Sequence, residues 1–270
     1  MKVKGLIITG IVLAVVGISL TAVASTQINI NEEWNTMFVD PSLEEKKETF
    51  GDIVKIVYEG SDASVDIVYQ EEENSFTYYE GKYITYDITY DEALQELHIK
   101  QQHSFSFFNF SFGGRKATLS IHSSLEELSI CVSAGNIGIK HMEINTGTFD
   151  IDAGNLKIED TTFTSLDAEL SAGNLNMNQS KATKAILELS AGNLKMEQTI
   201  VDYIKARLSA GNITFKGDVL SNAEFKLDAG NLKLNLDRES TAYQVNGKGE
   251  GTSLILYEVS AGNKTITFKE

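Results

Sequence analysis

The chain has little cysteine, little proline and few positive charges. Its 270 residues include one cysteine, Cys131, and one proline, Pro41. Because a single cysteine cannot close an internal disulfide, the fold cannot depend on the cross-links that stabilise many small exported domains. Lysine and arginine number 23 against 38 acidic residues, which gives a formal net charge of −15. Such a chain lacks the basic surface that nucleic acids require, so we expect no nucleic-acid partner.

Catalytic and metal-binding motifs are also missing from the sequence. It contains no phosphate-binding loop and no Ser/His/Asp grouping that would indicate an enzyme. The histidines show no spacing typical of metal ligands; they are His98, His103, His122 and His141. We therefore expect no catalytic residue, no bound metal and no cofactor, and a function other than catalysis.

A short motif, Ser-Ala-Gly-Asn-Leu or a close variant, recurs through the second half of the chain. Its asparagines follow one another at intervals of 19 residues up to Asn231, and a last copy comes 32 residues later. A fixed period near twenty residues is typical of a solenoid, in which each coil covers the open face of the previous one. The asparagines of the series are Asn136, Asn155, Asn174, Asn193, Asn212, Asn231 and Asn263.

The pattern inside one coil indicates strands. In the coil 190–208, one charged residue separates Leu194 from Met196, and the same alternation returns from Ile204 to Leu208. A period of two predicts two short strands per coil, and repeats that run in one direction make the sheets parallel, with strands about 4.8 Å apart. The predicted fold is therefore all-β: a parallel β-solenoid, β-helix or β-roll, built from coils of about 19 residues.

The Ala-Gly-Asn segment fits a corner between the two strands of a coil. Glycine accepts positive φ and close backbone approach, and asparagine is the next most tolerant residue. Stacked in register, the asparagine amides would form a hydrogen-bonded ladder through the corners. Binding of a sugar or an ion at an exposed corner is the alternative, although the unit does not match the calcium-binding nonapeptide of toxin β-rolls.

The N-terminus predicts export. Lys2 and Lys4 precede an apolar run from Gly5 to Ala24 that is long enough to cross a bilayer. We interpret residues 1–25 as a transmembrane helix, an uncleaved signal anchor. The protein would then lie in the cell membrane as a single-pass protein with its C-terminal domain extracellular. The alternative is a signal peptide that is removed after Ala22-Val23-Ala24, which would leave a secreted protein.

The rest of the chain divides by composition and periodicity. Residues 26–50 are expected to form a polar spacer with a short helix over 43–48. The solenoid is expected over 51–270, with irregular first coils over 51–132, regular repeats over 133–232 and a C-terminal cap over 233–270.

A phenylalanine-rich stretch interrupts the irregular coils. Its aromatic residues alternate with small polar ones and end at a glycine pair. If they are exposed, they form an apolar patch for a partner protein or the membrane interface; otherwise they close the open end of the solenoid or fill its core. The candidate contact residues are Phe105, Phe107, Phe108, Phe110 and Phe112.

Acidic residues recur at one outward position of successive coils. Stacked carboxylates can hold a cation or supply a general acid and base. However, Arg207 and Lys226 continue the row, and mixed charges are typical of a solvated face. Cys131 falls in the same row, where acidic neighbours would disfavour its thiolate and leave it inert. The candidate acidic patch consists of Asp150, Asp167, Glu169 and Glu188.

Together, the recurring Ser-Ala-Gly-Asn-Leu corners, the irregular strands before them and the apolar N-terminus resemble the family of bacterial proteins called putative adhesins. The resemblance covers roughly residues 50–270. It implies a β-solenoid domain common in Gram-positive envelopes. It also implies similarity to proteins associated with envelope stress and the response to antimicrobial peptides. It supplies no catalytic residues.

These observations lead us to expect a membrane-anchored, extracytoplasmic, non-catalytic binding or scaffolding module of the bacterial cell envelope. Besides the membrane, its partner would be an envelope protein, peptide or glycan. One alternative is a stress-response component that senses or sequesters cationic peptides through its acidic faces. The other is a glycan-acting β-helix enzyme centred on the acidic patch.

Overall fold

The computed structural model describes residues 43–61, 63–103 and 116–270. Within these ranges the chain is mostly β-strand and contains no α-helix, which confirms the all-β prediction. No helix in this part of the chain is long and apolar enough to cross a bilayer. The predicted transmembrane helix, residues 1–25, lies outside the described residues.

Thirteen strands and one 3-10 turn make up the described fold. All thirteen strands belong to one continuous, open sheet. In chain order the strands are β1 (Glu44–Phe50), β2 (Lys55–Gly60), β3 (Ala63–Tyr69), β4 (Asn74–Glu80), β5 (Ile84–Asp91), β6 (Glu96–His103), β7 (Ala117–Ile121), β8 (Leu125–Lys140), β9 (Glu143–Glu159), β10 (Thr162–Asn178), β11 (Lys181–Leu236), β12 (Tyr243–Val245) and β13 (Ser253–Phe268). The 3-10 turn, Ser240–Ala242, precedes β12.

The long strands follow the 19-residue period. β8, β9 and β10 pair in parallel, with each residue opposite the one 19 positions later. β11 continues this register from β10 and, at 56 residues, runs through about three periods. Each period contains one Gly-Asn corner; we call the strand segments before the corners sheet A and those after them sheet B. This stacking in parallel register is the arrangement expected of a solenoid-like fold.

The coils at the N-terminal end stack in an order that differs from their order in the chain. β2 pairs in parallel with β8 on one side and with β6 on the other. In the same way, β3 lies between β7 and β8. The coil made of β2 and β3 therefore lies inside the stack although it comes first in the chain. Antiparallel strands flank it at this end: β5 pairs with β6, β4 pairs with β7, and β1 pairs with β4.

Strand β1 corrects one prediction. The short helix expected over residues 43–48 is wrong, because Glu44–Phe50 is a strand that belongs to the folded sheet and overlaps the predicted spacer. Its charges meet partners on the neighbouring chain segment: Lys46 bonds to Glu80, and Lys47 Nζ lies 2.7 Å from a carboxylate oxygen of Glu73. These cross-strand pairs, together with the backbone ladder to β4, outweigh the local helix preference of the run.

The core consists of columns of inward side chains, as the alternation predicts. In each regular coil the residue after the Gly-Asn corner is enclosed by the coils on either side. Burying one such side chain contributes about 2 kcal/mol relative to leaving it in water. None of the residues in this column is more than 1% exposed: Ile137, Leu156, Leu175, Leu194, Ile213 and Leu232.

Two constraints require glycine at the corners. The corner glycines have φ between 133° and 146°, a region that side-chain-bearing residues rarely adopt. In addition, a Cβ added to Gly192 would lie 1.6 Å from the carbonyl oxygen of Gly173 in the previous coil. The corners therefore bring successive coils into direct backbone contact. The glycines are Gly135, Gly154, Gly173, Gly192, Gly211, Gly230 and Gly262.

A second corner follows sheet B, and in most coils it contains no glycine. Four residues there have positive φ between 46° and 56°: His141, Asp160, Gln179 and Gln198. The next position holds a buried hydroxyl in three coils, such as Ser180, whose Oγ donates to the carbonyl oxygen of Asn178 at 2.7 Å. Because polar residues make this turn without glycine or proline, the sequence pattern does not identify it.

A half-buried carboxylate, that of Asp66, links β3 to neighbouring segments of the chain. Asp66 lies beside Gly138, and a Cβ on Gly138 would fall 1.9 Å from Asp66 Oδ1, so the glycine makes room for the carboxylate. Lys116 bonds to Oδ1, and Lys140 Nζ lies 3.0 Å from Oδ2. Burial raises the pKa of the Asp66 carboxyl, but the two lysines outweigh burial and hold the pKa below its ordinary value.

A short cap accounts for the longer interval before Asn263. Residues 237–252 leave the stack, and β13 then returns parallel to β11. Arg238 anchors this segment, since its Nε donates to Asp218 Oδ1 at 2.7 Å. Tyr243 Oη donates to the same oxygen at 2.8 Å. Burial, followed by this hydrogen bond, raises the pKa of Tyr243 to about 12.

We predict that Gly192→Ala destabilises the fold by at least about 3 kcal/mol, measured by urea denaturation, because the new Cβ meets backbone that cannot move without separating two coils. Gly247→Ala is the matched control. Gly247 also has positive φ, 75°, but nothing lies within 4 Å of its Cβ position, so we expect a loss of about 1 kcal/mol. Equal losses for the two variants would contradict the close-approach constraint.

We also predict a pH-dependent effect of Asp66→Asn. Because the folded-state pKa is lowered, the carboxylate stabilises the fold above its unfolded pKa of about 3.9, and this contribution is lost as the pH falls through the folded pKa. Denaturation at about pH 7 should show the variant to be less stable by about 1 kcal/mol. The difference should shrink at about pH 3; a constant difference would contradict the assignment.

Candidate functional site

The corner asparagines form a hydrogen-bonded ladder along one side of the stack. Each Nδ2 donates to Oδ1 of the asparagine in the previous coil, over distances from 2.6 Å at Asn155 to 3.2 Å at Asn263. Because each interior amide both donates and accepts within the ladder, we interpret these side chains as structural. The ladder joins Asn136, Asn155, Asn174, Asn193, Asn212, Asn231 and Asn263.

The candidate acidic patch lies on the outer surface of sheet A. Strand pairing places Asp150 directly beside Glu169, and Glu169 directly beside Glu188. Asp167 projects from the same surface two residues before Glu169, and Asp152 does so two residues after Asp150. All of these side chains are exposed. We call this surface the acidic face; it consists of Asp150, Asp152, Asp167, Glu169 and Glu188.

The charges of the acidic face are compensated only towards the C-terminal end of the stack. Glu188 lies 3.9 Å from Arg207, which is also 3.8 Å from Glu224. Further along the row, Lys226 lies 3.7 Å from Glu258. Across residues 43–61, 63–103 and 116–270, no salt bridge involves the other four members of the face, which are Asp150, Asp152, Asp167 and Glu169.

Cys131 lies in the same row, between Glu59 and Asp150, and is an exposed free thiol. Partial burial of the sulfur raises its pKa, and the neighbouring carboxylates of Asp150 and Glu59 raise it further. A raised pKa keeps the thiol protonated, and the protonated form is the less reactive one. The environment therefore agrees with the inert cysteine that the sequence predicts.

Two shallow grooves follow the row. One of about 580 Å³ is lined by residues that include Glu59, Lys100, Cys131 and Asp152. The other, of about 330 Å³, lies further along the stack, beside Arg207 and the paired end of the face. Both are open strips on a flat sheet, so they suit an extended ligand better than a small enclosed one. In the part of the chain that the structure describes, no group of three or more His, Cys, Asp or Glu side chains is placed to hold a metal ion.

The corresponding surface of sheet B pairs its own charges. Lys157 Nζ lies 2.8 Å from a carboxylate oxygen of Glu159, and Lys195 Nζ lies 2.8 Å from one of Glu197. Neutral side chains such as Asn178 separate these pairs along the row. Sheet B therefore lacks the run of uncompensated carboxylates that distinguishes the acidic face.

The phenylalanine-rich candidate contact lies outside the described residues. Its members belong to the segment between the end of β6 at His103 and the start of β7 at Ala117. Whether these side chains are exposed stays a prediction. They are Phe105, Phe107, Phe108, Phe110 and Phe112.

Solved structures of other bacterial proteins are similar to this one. A putative adhesin from Bacteroides fragilis has a TM-score of 0.51 at 13% identity, over 84% of this chain and 98% of its own. A putative adhesin from Parabacteroides distasonis has a TM-score of 0.47 at 15% identity, with the same coverage. A putative lipid binding protein from that species has a TM-score of 0.41 at 12% identity, over 84% of this chain and 98% of its own. At 13% identity the likeness to the Bacteroides fragilis protein shows the fold alone.

The sequence of the chain also matches a protein family over most of its length. The match covers residues 53–259 and is to the family described as Toastrack DUF4097. This range includes the irregular N-terminal coils and the regular repeats, and it supports the adhesin-like resemblance seen in the repeated corners. No curated protein matches the chain. The chain belongs to the Toastrack family, DUF4097.

Proposed function

We propose that the protein is a membrane-anchored, extracytoplasmic, non-catalytic binding or scaffolding module of the bacterial cell envelope. The acidic face is the observation that carries this proposal. It presents four exposed carboxylates without an ion-pair partner among the described residues, whereas most neighbouring charges are paired. Exposed, uncompensated charge on a rigid surface is suited to binding a partner of opposite charge.

The spacing of the carboxylates indicates the kind of partner. Asp150 and Asp152 are two residues apart on one strand, as are Asp167 and Glu169 on the next. Residues two apart on a strand are separated by about 6.7 Å, and residues that face each other on neighbouring strands, such as Asp150 and Glu169, by about 4.8 Å. Alternate side chains of an extended peptide have the same separation of about 6.7 Å. An extended segment with lysine or arginine at alternate positions therefore fits the face, and an envelope protein or peptide is the proposed partner.

A second candidate function is a role in the response to envelope stress, in which the acidic face senses or sequesters cationic peptides. The same uncompensated carboxylates favour it, because their attraction for a free basic peptide needs no further recognition element. Binding of this kind is electrostatic and long-ranged, so it weakens as salt shortens the Debye length to about 10 Å at 0.1 M.

The proposed location rests on the N-terminal sequence. Lys2 and Lys4 precede the apolar run Gly5 to Ala24, and positively charged flanks stay on the cytoplasmic side of a membrane. The apolar run has the length of one bilayer crossing. The acidic domain would then lie outside, where cationic peptides and wall polymers are present.

We predict that the double substitution Asp150→Asn/Glu169→Gln weakens binding of a labelled Lys-Ser repeat peptide about three- to tenfold at low salt. Two exposed charges that each contribute about 0.3–0.7 kcal/mol account for this range. Fluorescence anisotropy with the full-length protein in detergent measures the effect. Raising the salt to about 0.3 M should remove most of the difference.

The matched control for this experiment is Glu159→Gln/Glu197→Gln on sheet B. It removes the same charge, but from carboxylates that already pair with Lys157 and Lys195. We expect a smaller loss of affinity than for the acidic-face variant. Equal losses would mean that net charge alone governs binding and would contradict a specific role of the acidic face.

We also predict that the full-length protein sediments with bacterial membranes, withstands a carbonate wash, and is degraded by protease added outside intact spheroplasts. Substituting Lys2→Glu and Lys4→Glu should reduce this external exposure, because basic residues set the orientation of the segment. Release of the intact domain into the medium would favour a cleaved signal peptide instead. Recovery from the cytosol would contradict both.

A further inference from the structure

The C-terminal end of the stack exposes the edge of strand β13. On one side β13 pairs with β11 along its length. On the other side, within the described residues, β12 covers only Ser253–Ile255. The edge from Glu258 to Phe268 therefore presents a strand that could pair with another one, the situation that leads sheets to associate edge to edge.

Two features make this edge complementary to a further coil. Asn263 donates to Asn231, and no donor among the described residues reaches the Oδ1 of Asn263, so the ladder ends with an acceptor available. Half-buried apolar side chains of β13, such as Val259 and Ile266, pack on the core without a coil to cover them. The backbone, the amide ladder and the core columns all continue to this end.

Lys264 interrupts that continuity. It pairs with Leu232 and so occupies the column that holds leucine or isoleucine in every regular coil. Its side chain is exposed, and its Nζ lies 4.9 Å from the centre of the Tyr257 ring, so it covers an aromatic side chain of the same strand. A further coil would have to enclose this ammonium group in an apolar column, which is strongly unfavourable.

Asn246 restricts the edge as well. Its Oδ1 accepts from the backbone N–H of Tyr257 at 2.9 Å, and its Nδ2 donates to the carbonyl oxygen of Tyr257 at 3.2 Å. One side-chain amide thus takes the two hydrogen bonds that a neighbouring strand would make at this position. These side-chain hydrogen bonds cover the edge only as far as Tyr257. Along the rest of β13, Lys264 is the residue that hinders the addition of another strand.

The opposite end of the stack is closed in another way. There β5 runs antiparallel to β6, and its Tyr86 packs against Phe76 and Tyr78 with ring centroids 5.6 Å and 4.7 Å apart. This aromatic cluster covers core residues beneath β5. Among the described strands, β5 and β1 keep one unpaired backbone edge each at this end, but they do not continue the amide ladder or the uncovered columns of β13. The C-terminal end of a second copy presents the same features as β13, which favours a closed pair over an open filament.

We propose that Lys264 is a gatekeeper that prevents two copies of this chain from joining tail to tail through β13. The occupant excluded by Lys264 is a second copy, because its β13 presents the same open backbone edge and half-covered columns. This proposal is independent of the acidic face, which lies on the flat outer surface of sheet A and not at the end of the stack.

The test is the oligomeric state of Lys264→Met, which keeps the length of the side chain and removes its charge, and of Lys264→Leu, which restores the residue type of the column. Full-length protein in detergent is analysed by size-exclusion chromatography with light scattering, with reductant present because Cys131 is exposed. We expect a concentration-dependent dimer with an association constant at least tenfold above that of the wild type. Amide hydrogen exchange over residues 258–268 should slow in the dimer.

The matched control is Lys233→Met, one strand away on an outward position of the preceding coil. It should leave the oligomeric state of the wild type unchanged. If Lys264→Met folds as the wild type does by circular dichroism and stays monomeric, the proposal is overturned. It is also overturned if the wild type itself dimerises through β13, or if Lys233→Met dimerises as strongly. Lys264→Met decides the question if Lys264→Leu does not fold.

Discussion

Direct backbone contact at the Gly-Asn corner is the constraint on which the other features of the stack depend. A glycine with positive φ lets each coil approach the previous one until no Cβ fits between them. At that separation the side-chain amide of each corner asparagine bonds to the asparagine of the previous coil. The strands before and after the corner also stay paired in parallel register with those of the previous coil. A single larger residue at this point would disturb the ladder, the sheet register and the core column together.

The same geometry that fixes the core also fixes the surface. Because coils stack without offset, every outward position becomes a straight row, and the charge sequence along a row decides what the surface can attract. On sheet B a lysine in one row pairs with a glutamate in the next row of the same strand, so these charges compensate each other. On sheet A the run from Asp150 to Glu169 has no such compensation, and the proposed binding role rests on this difference between two otherwise equivalent surfaces.

The regular coils could be predicted from sequence because their requirements are local and repeated: glycine at the corner, asparagine beside it, and apolar residues at every second position. The row that contains Asp150 and Glu169 followed from the same period. Strand β1 could not be predicted, because its stabilising partners lie about 30 residues away, as in the 2.7 Å hydrogen bond from Tyr78 to Glu48. The two lysines that pair with Asp66 likewise come from elsewhere in the chain, Lys116 from just before β7 and Lys140 from β8, so no pattern within β3 predicts them.

The coil of β2 and β3 is the first coil of the stack to emerge during synthesis, yet it has neighbours on both sides in the stack. Its two surfaces stay uncovered until residues 96–140 have followed. The N-terminal part should therefore form as one cooperative unit with a high contact order, whereas the later repeats can add one at a time as nearest-neighbour layers. Shortening the chain has correspondingly unequal effects. Loss of a C-terminal coil leaves a shorter stack, but loss of β2 and β3 removes a layer from within it and leaves β6 and β8 without the strand that joins them.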